Sequence, residues 1–279
     1  MKPVMRKYNC EADFWRVRQF LRDVLIANDL REFSWSVMRW DYWRWHGMIN
    51  IHPFAKLEDI IFIWEAKDGR IAAVLNPEKP GDVFMQVHPA FKTSELEAEM
   101  IAVAEDCLAS PHAGRQRVFL SSDSNDSERQ WLLQDRGFLK RGDVESQWRR
   151  DLDAPIPPVK AAEGYTVRAL GEVSELPGRS WASWRGFHPY EPAEKYQGWE
   201  WYLNIQRCPL YRRDLDLVAV TQDGTVVSFA TFWLDDVTRT AYAEPVATVP
   251  EHLRHGLARA LLTEGLIRVQ RLGAVRAFV

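Results

Sequence analysis

The chain has 279 residues, 46% of them hydrophobic and 27% charged, with a formal net charge of −3. That length suits two domains of ordinary size, each able to bury a core. A pI near 6.2 excludes the bulk basicity that nucleic-acid backbones demand, and no apolar run approaches the roughly 20 residues that span a bilayer. The opening MKPVMRKYNCEADFW has no signal-peptide apolar stretch. Cys10, Cys107 and Cys208 are few, far apart and without metal-ligand spacing, so they read as reduced thiols. No His/Cys/Asp grouping suggests a metal. The expectation is a cytoplasmic protein that binds neither nucleic acid nor membrane.

Residues 11–30 carry Phe14, Val17, Phe20, Leu21, Val24 and Leu25 at helical spacing, a first amphipathic helix. FSWSVMRWDYWRWH (33–46) predicts a second helix, its aromatics packed and its arginines snorkelling past them. DIIFIW (59–64) reads as a buried strand, Asp68-Gly69 as a hairpin turn, Ile71–Leu75 as the returning strand and Val83–Val87 as a third. A helix over Ser94–Leu108, a strand over Arg117–Ser121 and a helix over Asp126–Arg136, closed by Gly137, follow. Leu139–Arg149 completes the half as a strand or hairpin. The first domain is thus 1–150. Residues 151–163, with three prolines and no periodicity, form the linker.

From residue 164 the pattern repeats. Tyr165–Leu170 starts a strand, helices cover 172–185 and roughly 191–206, and Leu215–Val220, Asp223-Gly224 and Val226–Trp233 give strand, turn and strand. DIIFIWEAKDGRIAAVL of the first half parallels LDLVAVTQDGTVVSFAT of the second, and Val83–Pro89 parallels Glu244–Pro250. The fold class is α/β in the α+β sense: two similar domains, each a mixed, mostly antiparallel sheet flanked by helices.

The most informative stretch is EPVATVPEHLRHGLARALLTEGLIRVQRLG (244–273). Its apolar spacing switches from strand to helix across Leu253-Arg254-His255-Gly256-Leu257-Ala258. Small residues at a helix start let the backbone approach a ligand, and the free N–H groups there favour an anion. Arg254, His255 and Arg259 add positive charge. There is no Gly-Lys-Ser/Thr and no dinucleotide fingerprint. The stretch resembles the coenzyme A signature of the GNAT N-acetyltransferase superfamily, V-x-P-x-x-[Q/R]-x-x-G-x-[G/A]. Thr248, Pro250, Leu253, Gly256 and Ala258 stand at the defined places, with Thr248 departing from Val and Leu253 from Gln/Arg.

The resemblance implies an acyl-CoA-dependent N-acyltransferase that moves an acetyl group from acetyl-CoA to an amine of a small molecule or peptide. A non-catalytic acyl-CoA-binding or sensor module of tandem GNAT type is the alternative. It implies that Val246, Ala247, Thr248 and Val249 line the pantetheine arm, as an added strand would. Arg254, His255, Gly256, Leu257, Ala258 and Arg259 would hold the pyrophosphate. Glu244 is the candidate base, and His188 a second candidate. The first half is expected to be degenerate: Glu95 and Glu97 fall where Gly256 and Ala258 sit in the second, and Leu133 falls where the family often has the tyrosine that protonates the thiolate. The second domain, 164–279, stops at the strand Ala274–Val279, where the family pattern continues with a helix and strands. An open sheet end is compatible with a homodimer. The acceptor amine is not legible.

Overall fold

The computed structural model describes residues 2–51, 53, 55–142 and 144–279, and it divides into two units between Ser146 and Gln147.

The first unit runs β1 (Val4–Lys7), α1 (Glu11–Ala27), α2 (Val37–Tyr42), α3 (Leu57–Ile60), β2 (Phe62–Glu65), β3 (Ile71–Lys79), β4 (Asp82–Val87) and α4 (Ser94–Cys107), with wider π-type turns over Trp43–Ile51. A small hairpin, β5 (Ser110–His112) and β6 (Arg115–Arg117), precedes β7 (Phe119–Leu120) and α5 (Ser127–Asp135). The sheet order is β1-β2-β3-β4-β7, with β4 and β7 parallel. The helical spacing in α1 is real: Phe14, Val17, Leu21 and Val24 are all buried. The aromatic stretch after it is core, with Trp35, Trp40 and Trp43 buried. Arg39 lies over the Trp35 and Phe84 rings at 5.1 and 4.8 Å and pairs with Glu78 at 2.7 Å, so its charge stays satisfied at the core's edge.

The second unit runs β8 (Arg149–Asp151), β9 (Tyr165–Ala169), α6 (Leu176–Phe187), α7 (Tyr202–Ile205), β10 (Asp216–Thr221), β11 (Val226–Asp235), β12 (Thr240–Thr248), α8 (Leu257–Arg271) and β13 (Arg276–Phe278). Its order is β8-β13-β12-β11-β10-β9, with β12 and β13 parallel. Setting β8 aside, the five strands repeat the first unit's order, with the parallel pair at the same end.

Two details support a duplication. Both hairpins turn alike: Ala66 N–H bonds Arg70 O and Gly69 N–H bonds Ala66 O, as Thr221 bonds Thr225 and Gly224 bonds Thr221. Both turn glycines have positive φ, +82° and +87°. Each first helix also buries an arginine at one offset from the later proline (89 − 18 = 250 − 179 = 71). Arg18 pairs with buried Asp41 at 2.7 Å, and Arg179 with buried Asp216 at 3.2 Å.

Three expectations are corrected. The strand or hairpin expected over Leu139–Arg149 is absent among the described residues before Arg149, and β8, which spans its last residue and the start of the expected linker, belongs to the second unit. β8 pairs antiparallel with β13, Trp148 and Val279 exchange two bonds of 3.0 Å, and Arg276 pairs with Asp151 at 2.6 Å. Leu152 and Ile156 enter the second core. The boundary therefore lies near 146, because β8 finds its partner some 125 residues away rather than locally. Residues 191–206 form only a 3-10 turn over Ala193–Lys195 and the four-residue α7. Pro189, Pro192 and Gly198 break the helix that the aromatic spacing suggested. A four-residue strand, β1, was not foreseen; it is mostly exposed and carries no apolar alternation.

Among the described residues no helix is long and apolar enough to cross a membrane.

The α8–sheet contact is close. A Cβ built on Gly265 would lie 2.0 Å from Phe232 Cε2. Gly265→Ala is expected to destabilise the second unit by about 1–3 kcal/mol through overpacking, measured by urea unfolding. A fragment beginning at 147 is expected to fold, whereas one beginning at 164 exposes the outer edge of β13 and loses the Leu152 and Ile156 contacts. Solubility and circular dichroism of the two fragments check this.

Candidate functional site

The site is built where β12 leaves the sheet. β12 pairs with β13 only through Thr240, Ala241 and Tyr242. On its other side it pairs with β11 up to Thr248, with a register shift between Ala230 and Phe232. There Glu244 and Pro245 stand opposite the single Thr231, which makes a bulge. Pro245 has no N–H to give a ladder, so a bulge is where it fits.

Past the bulge the register is regular, and Val249 N–H donates to Val227 O at 2.9 Å. Antiparallel pairs alternate between bonded and non-bonded residues. Ala247 and Val249 therefore turn their main-chain groups to β11, while Val246 and Thr248 turn theirs to the other side. Of the four residues expected to line a pantetheine arm, these two turn main-chain groups away from β11. The Thr248 hydroxyl bonds Ser228 Oγ at 2.7 Å, which gives a threonine a structural role where the motif has valine.

The loop follows at once. Pro250–His252 make a 3-10 turn, and Arg254 and Gly256 both adopt left-handed backbone with φ of +69°. Gly256 is the N-cap of α8, no side chain caps that end, and the first helical bond runs from Ala260 N–H to Gly256 O at 3.0 Å. The N–H groups of Leu257, Ala258 and Arg259 precede that bond and point out of the helix start with the positive dipole end. Arg254, His255, Gly256 and Arg259 are exposed, and a Cβ on Gly256 would have nothing within 4 Å. Leu257 is buried and contributes only its main chain. The His255 ring leans on Tyr165, centroids 5.4 Å apart, and the Tyr165 hydroxyl bonds His252 Nδ1 at 2.9 Å. Leu253 is exposed, so the motif's usual Gln/Arg side chain has no counterpart here. This loop is open to solvent, flanked by arginines and lined by main-chain N–H groups, features that favour an anion.

The equivalent loop in the first unit is closed by its own side chains. Thr93 caps α4, accepting from Leu96 N–H at 3.2 Å. The Glu95 carboxyl is held below its usual range by hydrogen bonds from its own main chain and from Thr93. Glu97 does not crowd the loop as the sequence suggested. It is buried, and Arg129 bonds it at 2.6 Å. The N–H groups of Glu95 and Leu96 are thus already engaged, and the Glu95 carboxylate adds a negative charge, which leaves this end less suited to an outside anion.

Glu244 is exposed and lies at the bulge, next to the turned-out groups of Val246. Its carbonyl accepts from Trp233 Nε1 at 2.5 Å. His188 ends α6, where its ring stacks on Trp184 and its Nδ1 lies 3.0 Å from Trp184 O, so it works as part of the helix end. The end of α6 also touches the site: a Cβ on Gly186 would lie 2.8 Å from the Ala247 Cβ. Sequence reasoning missed the set behind β12: buried Arg179, Tyr202, Asp216 and Trp233, with half-buried Tyr211. The shared offset of Arg18 and Arg179 was its one legible trace. Among the described residues no group of three or more His, Cys, Asp or Glu could hold a metal.

Residues 177–279 match the model of the Acetyltransferase (GNAT) family. No curated protein matches the chain. Among solved structures the chain is similar to a GCN5-related N-acetyltransferase from Sphaerobacter thermophilus, at 20% identity and a TM-score of 0.64, covering 99% of this chain and 85% of that one. It is also similar to a tandem GNAT protein from the clavulanic acid biosynthesis pathway, at 14% identity and a TM-score of 0.58 over 99% and 88% of the two chains. A GNAT-family acetyltransferase from Colwellia psychrerythraea matches at 12% identity and a TM-score of 0.57 over 99% and 89%. At these identities the likeness shows a shared fold across both units.

Gly256→Ala leaves the loop free of clashes and strains only its φ. It is expected to cost about 1–2 kcal/mol, measured by urea unfolding against a control such as Ala258→Gly.

Proposed function

We propose that the second unit, whose residues 177–279 match the Acetyltransferase (GNAT) family model, transfers an acetyl group from acetyl-CoA to an amine. The observation that carries this reading is the combination on one segment of an uncapped helix start at Gly256 and outward main-chain groups at Val246 and Thr248.

Each part has a chemical task. The N–H groups of Leu257, Ala258 and Arg259, with the cations of Arg254 and Arg259, suit the pyrophosphate. The outward groups of Val246 and Thr248 can pair with the amide-bearing arm like an added strand, and an N–H among them can polarise the thioester carbonyl. Glu244 takes a proton from the acceptor's ammonium. The free amine attacks the thioester carbon, a C–N bond forms, the C–S bond breaks, and the coenzyme leaves as thiolate. The amide nitrogen sheds its second proton and the thiolate takes one up, so charge and atoms balance. His188, engaged at the end of α6, is not needed as a base. The first unit, with its helix end capped by Thr93, does not bind the coenzyme through that loop.

Acetyl-CoA at about 100 times its dissociation constant is expected to raise the unfolding free energy by about 2.7 kcal/mol, read as a higher thermal midpoint. Gly256→Glu should abolish that shift while the protein stays folded. A shift as large in the variant as in the wild type would mean that the coenzyme binds elsewhere. With an amine panel, Glu244→Gln should retain the acetyl-CoA shift and lose about 10²–10⁴-fold in kcat. An unchanged kcat would remove Glu244 as the base.

A further inference from the structure

Behind the bulge of β12 lies a buried polar cluster that the transfer chemistry does not use. Trp233, fully buried on β11, points its indole N–H at the Glu244 carbonyl, 2.5 Å away. Its ring meets the Tyr211 ring edge-on, centroids 6.1 Å apart. The Tyr211 hydroxyl donates to Asp216 Oδ2 at 2.9 Å. Asp216, fully buried, also accepts from the Tyr202 hydroxyl, from Thr231 Oγ1 at 3.2 Å and from Arg179 Nε at 3.2 Å. Arg179, equally buried, donates to Thr231 as well and lies over the Phe229 ring at 3.6 Å. Burial pushes the Tyr202 and Tyr211 phenols up, and the Asp216 carboxylate adds to it, so both remain donors.

We propose that Trp233 is a positioning residue for acyl transfer: its indole N–H holds the Glu244 carbonyl, fixes the bulge of β12, and so sets both the Glu244 side chain and the outward groups of Val246 and Thr248. This rests on the acyl-transfer reading above. The bulge needs such a hold. Between Ala243 and Val246 the ladder with β11 is interrupted, and Pro245 offers it no N–H. Trp233 supplies a side-chain donor at that gap. The Tyr211 ring, itself held by its hydrogen bond to Asp216, packs edge-on against the indole and limits its swing. Thr231, the residue opposite the bulge, is tied to the same carboxylate. One buried charge pair therefore braces both sides of the irregular step.

The test uses the full chain and Trp233→Phe, which keeps a ring and removes the donor, with Tyr211→Phe as a milder cut that frees Asp216 of one bond. Hydrogen exchange at Ala247 and Val249, whose N–H groups face β11, is expected to rise about tenfold in Trp233→Phe, with Leu261 and Val269 of α8 unchanged. In the same variant kcat for amine acetylation should fall about tenfold, with KM for acetyl-CoA within about twofold of wild type. Tyr211→Phe should move both readouts the same way by less. Unchanged exchange in β12 would overturn the proposal, as would exchange rising equally in α8, which would make Trp233 a core residue only. Faster exchange with unchanged kcat would overturn the link to transfer. A wild type that gains no stability from acetyl-CoA would instead sink the acyl-transfer reading, while the exchange readout still decides whether Trp233 holds the bulge.

Discussion

A helix start that the protein's own side chains leave uncapped is the constraint on which the second unit's chemistry depends. The first N–H groups of any helix need partners. In α8 no side chain supplies one, and left-handed backbone at Arg254 and Gly256 swings the loop clear of the helix end. The same topological position in the first unit carries Thr93 and Glu95, which fill the need from within. One fold thus yields an open, uncapped helix start in one copy and a capped one in the other, and a few loop residues make the difference.

The open end would be of little use without β12. A strand that stays paired on both edges offers nothing to a ligand. Here β12 is held by β11 along its length and by β13 only at its beginning, so its far half presents main-chain groups outward. The bulge at Glu244 and Pro245 decides which residues turn outward. A one-residue slip would reverse the set, exchanging Val246 and Thr248 for Ala247 and Val249. That is why a fully buried indole on the Glu244 carbonyl, backed by Asp216 and Arg179, is more than packing in this account. The direction of the outward main-chain groups at the surface depends on the irregular step being held from below.

Local sequence was a good guide where the signal was local. The two Gly-containing hairpins, the strand–loop–helix around Gly256, the amphipathic α1 and the repeat itself could be read from residue spacing, and the structure contains them. Non-local pairing was invisible. β8, Arg149–Asp151, straddles the expected end of the first domain and the start of the linker, and its polar residues give no hint that it pairs with β13 at the other end of the chain. The aromatics of 191–206 mimic a helix period, but Pro189, Pro192 and Gly198 leave only a 3-10 turn and α7. Of the site, the loop and β12 were legible because backbone conformation leaves a mark in Gly, Pro and small residues. The Asp216 cluster was not, since its members come from α6, α7, the segment after it and two strands, and meet only after folding.

The account stands or falls on which helix start takes the coenzyme. The most direct measurement is a titration of the full chain with coenzyme A, followed by amide nuclear magnetic resonance. The account predicts large shifts at Gly256, Leu257, Ala258 and Arg259 and none at Ser94, Glu95, Leu96 and Glu97. Shifts confined to the first unit's loop, or none at either, would contradict it.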